Sequence, residues 1–226
     1  MERFLIRLVG PSGWLSVLSL AAAMAAMIFY APLEKIQGPV QKIMYLHVAS
    51  ATISYVAIGV MAIAGGLFLW KGDSRWDRMG RASAELSLLL CAVVMITGPL
   101  WARPVWGTFW VWDARLTATL VLFLILLGYF MLRSMVPGER GARFASLTAI
   151  LAMINVPFIK IATEKFRTMH PSGVVKGGMT MEMGITLTGW MFMLLVVYVH
   201  FLGSRLAVAQ TEERVRSLEA SLEGEP

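Results

Sequence analysis

The chain has 226 residues, of which 58% are hydrophobic and only 15% are charged, and its formal net charge is +6. The apolar residues fall in blocks that are too long for the core of a soluble domain, so composition excludes that class. The positive charge does not by itself indicate nucleic-acid binding, because basic residues in a membrane protein first set its orientation.

Six apolar stretches are long enough to cross a membrane. A helix rises about 1.5 Å per residue, so a span takes roughly 20 apolar residues. The first stretch follows Arg3 and Arg7. Because it is long and no clean cleavage pattern follows it, we interpret it as a helix rather than a signal peptide. Cys91 is the only cysteine, which excludes a disulfide framework. The predicted spans lie near residues 12–32, 46–70, 83–101, 115–133, 144–162 and 184–204.

This pattern predicts an all-α polytopic membrane protein, a bundle of six transmembrane helices. With the N-terminus in the cytoplasm, 12 of the Lys and Arg residues fall on the cytoplasmic side and 8 on the outer side. Since cytoplasmic loops carry the excess of basic residues, we predict that both termini are cytoplasmic. We also predict two regions, a transmembrane domain over residues 1–205 and a polar cytoplasmic tail over residues 206–226.

The predicted outer loop 102–114 carries the most informative residues of the chain. From residue 106 to the start of the fourth span, the sequence is Trp106-Gly107-Thr108-Phe109-Trp110-Val111-Trp112-Asp113-Ala114-Arg115. Flat aromatic faces, indole donors and a fixed Asp113–Arg115 charge pair suit a large planar ligand with carboxylate tails. Tryptophans also line membrane surfaces without binding anything, so an interfacial belt is the alternative.

Two histidines fall on the same predicted face as these tryptophans. His47 begins the second span, and His170 lies in the outer loop 163–183. Each alone fits an interfacial histidine bonded to a neighbour, but together they suit the two axial positions of a haem iron. His200 lies near the opposite end of the last span, and we interpret it as a packing residue. Zinc is a weaker alternative, because the pair lacks a cysteine or an obvious carboxylate as third ligand.

Other chemistries find no support in the sequence. It contains no phosphate-binding loop, no HExxH pair and no GxSxG elbow. Glu85 is the main intramembrane charge, and its place four residues after Arg81 favours a local helix pair over a proton relay. The chain therefore has no ATPase or hydrolase motif of its own.

The residues from Trp106 to Thr117 resemble the tryptophan-rich WWD signature of haem-handling proteins. The run Tyr45-Leu46-His47-Val48 is similar to the first histidine motif of the CcmC family, which belongs to the cytochrome c maturation apparatus. Chain length, six spans, Ile154-Asn155-Val156-Pro157 and one histidine in each flanking outer loop also agree with that family. One departure is Phe109, at a place that is often tryptophan, which keeps the stacking surface and loses an indole donor.

The resemblance implies a haem delivery protein of the bacterial inner membrane. Haem b is then bound transiently on the periplasmic side, with His47 and His170 as axial ligands of the iron. The haem is then passed to the haem chaperone CcmE. CcmD and the ABC-type complex of CcmA and CcmB are the further partners that the resemblance implies. Whether the protein assists haem attachment to the chaperone is left open. The implied binding residues are His47, His170, Trp106, Gly107, Trp110, Trp112, Asp113 and Arg115.

Two other functions remain open from the residues alone. The chain is a structural or assembly subunit of a membrane transporter complex if the tryptophans form only a belt and a partner surface. It is a quinone-linked electron-transfer protein if the two histidines hold a permanent haem. The second case requires haem deep in the bundle, whereas both histidines fall at loop or helix-end depth, which favours transient occupancy.

Overall fold

The computed structural model describes residues 1–166, 168 and 179–223. In this part of the chain every regular element is helical, apart from one isolated β-bridge between Glu34 and Gly38. The helices are α1 (Glu2–Arg7), α2 (Val9–Ala25), α3 (Ile43–Lys71), α4 (Ser74–Trp106), α5 (Ala114–Met135), α6 (Gly138–Lys165) and α7 (Met181–Glu223), with a π-helical turn at Ala26–Tyr30 and a 3₁₀ turn at Pro39–Lys42.

Six helices of the described chain are long and apolar enough to cross a membrane, as the sequence predicted. They are α2 with its π turn and α3 to α7. The predicted spans underestimate several of them. Helix α4 begins nine residues before position 83 and continues through Pro99 and Pro104 to Trp106. Helix α7 runs unbroken past position 206 to Glu223, so the polar tail is a continuation of the last span.

Local signals in the sequence set the helix boundaries around the bundle. Gly72 ends α3 in the left-handed region, and the Asp73 carboxylate then caps α4 by accepting from the Arg75 N–H. The Arg75 side chain donates to the same carboxylate, and this hydrogen bond lowers the pKa of Asp73 to about 2. At the other end Gly107, with φ of 78°, ends α4, and Asp113 caps α5. These residues therefore fix where α3 ends, where α4 begins and ends, and where α5 begins.

The helices pack around two apolar clusters. One joins α3, α4 and α7 around Tyr45 and Trp190, and the other joins α3 to α6 around Leu122 and Leu126. Small residues permit the close approaches, as is common between transmembrane helices. A Cβ added at Gly65 would lie 3.2 Å from the Ser146 carbonyl oxygen of α6.

One end of the bundle holds most of its ion pairs. We call it the tail end, and it contains α1, the α3–α4 and α5–α6 connections and the polar part of α7. Asp77 binds Arg133 through two hydrogen bonds of 2.6 and 2.9 Å, which joins α4 to α5. Glu85 accepts a hydrogen bond from Arg205 of α7 at 2.8 Å and also lies 3.7 Å from Arg81. The predicted ion pair between Arg81 and Glu85 within α4 is therefore present, and Arg205 of α7 joins it.

His200 packs near the tail end, as predicted. Its Nδ1 lies 3.1 Å from both the Ser12 hydroxyl and the Val9 carbonyl oxygen, so the ring joins α7 to α2. Cys91 is buried in the second apolar cluster and serves as a small packing residue.

Candidate functional site

A cleft opens at the end of the bundle opposite the tail end, between α3, α4 and α5. It encloses about 660 Å³ including its open mouth. Its lining is mostly apolar and aromatic, and comprises His47, Ala51, Tyr55, Val94, Met95, Gly98, Pro99, Trp101, Ala102, Trp106, Phe109, Trp110, Arg115, Leu116 and Thr119.

Helical spacing explains how α3 and α4 form two walls of this cleft. On α3 the lining residues His47, Ala51 and Tyr55 recur every four residues, which places them on one face. Tyr55 is eight residues beyond His47, a depth of roughly 12 Å along the helix. The cleft therefore reaches from the helix ends into the span, with an imidazole near its mouth and a phenol deeper inside.

Contacts with Thr97, Trp101 and Gly98 hold His47 against α4. Its Nδ1 lies 2.9 Å from the Thr97 hydroxyl oxygen. Its ring meets that of Trp101 edge to face, with centroids 5.9 Å apart. Its Cε1 lies so close to Gly98 that a Cβ built there would be 3.3 Å away. The imidazole thus has a defined orientation on the cleft wall, which is what an iron ligand requires.

The tryptophan segment forms the rim of the cleft. Trp106 is the last residue of α4 and faces the cleft, as do Phe109 and Trp110. Trp110 meets Trp112 edge to face at 5.8 Å, while Trp112 is 77% exposed and does not line the cleft. Arg103 supports the loop by donating to the Gly107 carbonyl and lying over the Phe109 ring. Two of the three predicted tryptophans therefore face the cleft, and the third faces outward.

The Trp110 side chain carries a polar atom that the described residues leave unsatisfied. Its indole Nε1 is buried and has no hydrogen-bond partner among them. A buried indole N–H normally finds an acceptor, because leaving it unpaired costs about 1–3 kcal/mol. Since Trp110 lines the cleft, this donor is suited to a ligand with an acceptor oxygen.

Asp113 and Arg115 lie close enough for their charges to interact, but their side chains do not form a salt bridge in the described residues. The Asp113 carboxylate caps α5 through the Leu116 N–H at 2.8 Å and accepts from the Thr168 hydroxyl at 2.6 Å. Arg115 lines the cleft and donates to the Thr163 hydroxyl of α6 at 2.7 Å. The carboxylate therefore caps its own helix, whereas the guanidinium makes its hydrogen bond across to α6.

The structure brings together four of the eight predicted site residues. His47, Trp106, Trp110 and Arg115 line the cleft, whereas Gly107, Trp112 and Asp113 shape its rim. His170 lies outside the described residues. Within the described chain no group of three His, Cys, Asp or Glu residues lies close enough to hold a metal ion.

Sequence reasoning missed three residues of the site. Trp101 and Tyr55 line the cleft, and Thr97 contacts the His47 ring. A signal for Tyr55 was present, because it follows His47 at helical spacing on a single face. Trp101 stands at the predicted end of a span, where an interfacial tryptophan is expected anyway. For Thr97 no local pattern exists, since its partner lies 50 positions away.

Comparison with known proteins identifies the family. The family model described as "Heme exporter protein C" matches residues 1–222. The chain is 36% identical over 197 residues to the protein named "Heme exporter protein C" from Bradyrhizobium diazoefficiens, covering 84% of this chain and 74% of that one. It is 32% identical to the protein of the same name from Haemophilus influenzae, covering 82% and 78%. It is also 34% identical to a putative cytochrome c biosynthesis ccmC-like mitochondrial protein of Marchantia polymorpha, covering 74% and 72%. The chain belongs to the heme exporter protein C (CcmC) family.

Proposed function

We propose that this chain binds haem in the cleft between α3, α4 and α5 and delivers it to the haem chaperone CcmE during cytochrome c maturation. Family membership supports a role in haem handling for cytochrome c maturation in the membrane. The observation that carries the specific site is the combination in one cleft of an oriented imidazole, an aromatic rim and a buried indole donor.

The chemistry of the cleft residues fits haem. His47 offers an imidazole nitrogen for one axial position of the iron, and His170 is proposed for the other. Trp101, Trp106 and Trp110 supply flat apolar surfaces for the porphyrin ring. Arg115 is the only Lys or Arg among the residues that line the described cleft, and it suits a propionate. The cargo is proposed to be haem b, held without a covalent bond to this chain.

Exposure at the rim supports transfer rather than storage. Phe109 is 55% exposed and Trp112 is 77% exposed, so the mouth of the cleft presents aromatic surface outward. Exposed aromatic side chains at a site entrance are suited to a protein partner. Chaperone crosslinks that form only far from residues 102–114 and 163–183 would contradict this docking position.

The cellular setting completes the proposal. The chain is a multi-pass membrane protein, and we place it in the bacterial inner membrane with the cleft facing the periplasm. The tail end, both termini and the region 206–226 are then cytoplasmic, while residues 1–205 form the transmembrane haem-handling domain. CcmD and the CcmA–CcmB complex are the proposed further partners. A reporter that is active only outside the cytoplasm tests this orientation. It should be active when fused near residue 109 and inactive when fused near residue 73.

The deciding experiment is the visible spectrum of the detergent-purified protein. We expect a low-spin haem spectrum in the reduced parent, weakened or shifted in both His47→Ala and His170→Ala. His200→Ala is the matched control, because His200 packs between α2 and α7 away from the cleft. Its spectrum should match that of the parent. If no haem is bound under any co-expression condition, including with the chaperone present, the structural-subunit function is favoured instead.

A further inference from the structure

The hydroxyl of Thr97 has a single proton and lies within hydrogen-bond distance of two groups, the Val93 carbonyl oxygen and Nδ1 of His47. Thr97 lies on α4, four residues after Val93, and its oxygen is 2.7 Å from the Val93 carbonyl oxygen. A carbonyl oxygen only accepts, so the hydroxyl must be the donor of this bond. Threonine in a helix commonly makes this bond to the carbonyl four residues earlier.

The second contact of the same oxygen is then determined. It lies 2.9 Å from Nδ1 of His47, and its only proton is already donated to Val93. Both contacts can be hydrogen bonds only if the oxygen accepts the second one, which requires His47 to carry a proton on Nδ1. A neutral imidazole has one N–H, so the other nitrogen, Nε2, carries the lone pair. This is the tautomer that ligates a metal through Nε2.

The packing around the ring opposes its rotation away from this arrangement. Trp101 contacts the imidazole edge to face, and Gly98 lies against its Cε1. Thr97 is itself buried, with 9% of its surface exposed, so water does not readily replace its hydroxyl as the acceptor. Loss of the acceptor would leave a buried N–H unpaired unless the ring changed its tautomer or its orientation.

We propose that Thr97 is a positioning residue that sets the tautomer of His47 and thereby prepares Nε2 as a haem ligand. The inference rests on the function proposed above and adds a residue that touches the ligand only through His47. A hydrogen bond from Nδ1–H to an acceptor also raises the basicity of the ligating nitrogen. Removing it lowers electron donation to the iron, which raises the haem midpoint potential.

The test compares Thr97→Val with Thr97→Ser. Valine keeps the shape of threonine and removes the acceptor, whereas serine keeps the hydroxyl. Outer-sphere partners of metal-binding histidines are worth about 10–100-fold in affinity. We therefore expect haem titration of Thr97→Val to give at least tenfold weaker binding and a higher midpoint potential, with Thr97→Ser close to the parent. Thr52→Val is the matched control, because the only hydrogen bond of the Thr52 hydroxyl within the described residues goes to the Val48 carbonyl of its own helix.

A measurement without haem separates this inference from the proposed function. In the haem-free chain labelled with ¹⁵N-histidine, the two tautomers differ in their nitrogen chemical shifts, and His47→Ala identifies the His47 signals. We expect the Nδ1–H form in the parent and in Thr97→Ser, and its loss in Thr97→Val. Equal tautomer populations, affinity and potential in parent and Thr97→Val would overturn the inference. The expected tautomer in a chain that never binds haem would instead overturn the proposed function.

Discussion

Substituting Gly98 by alanine tests whether the orientation of the His47 ring controls haem binding. The new Cβ would lie 3.3 Å from Cε1 of His47, closer than an ordinary van der Waals contact. The ring must then move by a few tenths of an ångström on the cleft wall. Binding sites tolerate displacements of about 0.5 Å, so the change is near that limit and should weaken binding without abolishing it.

Gly98→Ala should affect haem affinity and helix stability in different ways. A tenfold loss of affinity corresponds to about 1.4 kcal/mol, and we expect Gly98→Ala to weaken haem binding by up to this amount. For stability, alanine in a helix interior is favoured over glycine by about 1 kcal/mol, and this gain offsets the cost of the close contact with His47. The thermal unfolding temperature should therefore change little while haem affinity falls.

The assay is haem titration of the purified chain, followed by the thermal unfolding temperature of the same samples. Gly128→Ala is the control, because no atom of the described residues lies within 4 Å of a Cβ at that position, outside its own helix backbone and chain neighbours. It should bind haem like the parent. If Gly98→Ala binds haem with the affinity and bands of the parent, then either His47 is not held against α4 or it is not a ligand.

Three further predictions concern the cleft and the contact between α1 and α7. Trp110→Phe removes a buried donor and should weaken haem binding several-fold, as measured by haem titration. Trp112→Phe changes an exposed ring and should leave haem binding unchanged. Equal effects of the two substitutions would contradict the role of the Trp110 indole N–H. Arg115→Gln should lower haem retention during detergent washing while membrane insertion is unchanged, and full retention would remove Arg115 from the site. Gly203→Ala should lower the unfolding temperature relative to Gly10→Ala. The new Cβ at Gly203 would lie 2.6 Å from the Leu5 carbonyl oxygen, whereas no atom of the described residues lies within 4 Å of a Cβ at Gly10, outside its own helix backbone and chain neighbours. Equal temperatures would contradict close packing of α1 on α7.

Hydropathy predicted the number of spans because each must be long and apolar whatever it packs against. It predicted helix ends less well. Helix α4 continues past two prolines to Trp106, since at each proline only one backbone hydrogen bond is lost and the neighbouring helices maintain the direction of the chain. The end of this helix matters for function, because it places Trp106 on the cleft wall.

Local composition located the tryptophan segment but not the partners of its charged residues. Asp113 and Arg115 are two positions apart, and residues at that spacing do not face each other on a helix. The cap geometry then directs Asp113 to its own helix, and Arg115 crosses to Thr163. Contacts between helices, such as that of His47 with Thr97, depend on how the helices are rotated against each other, and a single sequence does not contain that information.

The two ends of the bundle should respond differently to mutation. At the tail end the Asp77–Arg133 pair joins α4 to α5, and both side chains are less than one fifth exposed. Asp77→Asn removes a charge-assisted pair of hydrogen bonds, which should lower the free energy of unfolding by about 1–3 kcal/mol. Glu139→Gln is its control, because Glu139 and Arg143 form an exposed pair that contributes little.

This difference separates stability from ligand binding. Asp77→Asn should lower the unfolding temperature, yet the haem that remains bound should keep the absorption bands of the parent, because no contact to His47 has changed. Gly98→Ala should do the converse, with altered haem binding at nearly constant stability. If Asp77→Asn shifts the bands, α4 and α5 transmit strain from the tail end to the cleft, and His47 is positioned by the whole bundle rather than by Thr97, Gly98 and Trp101.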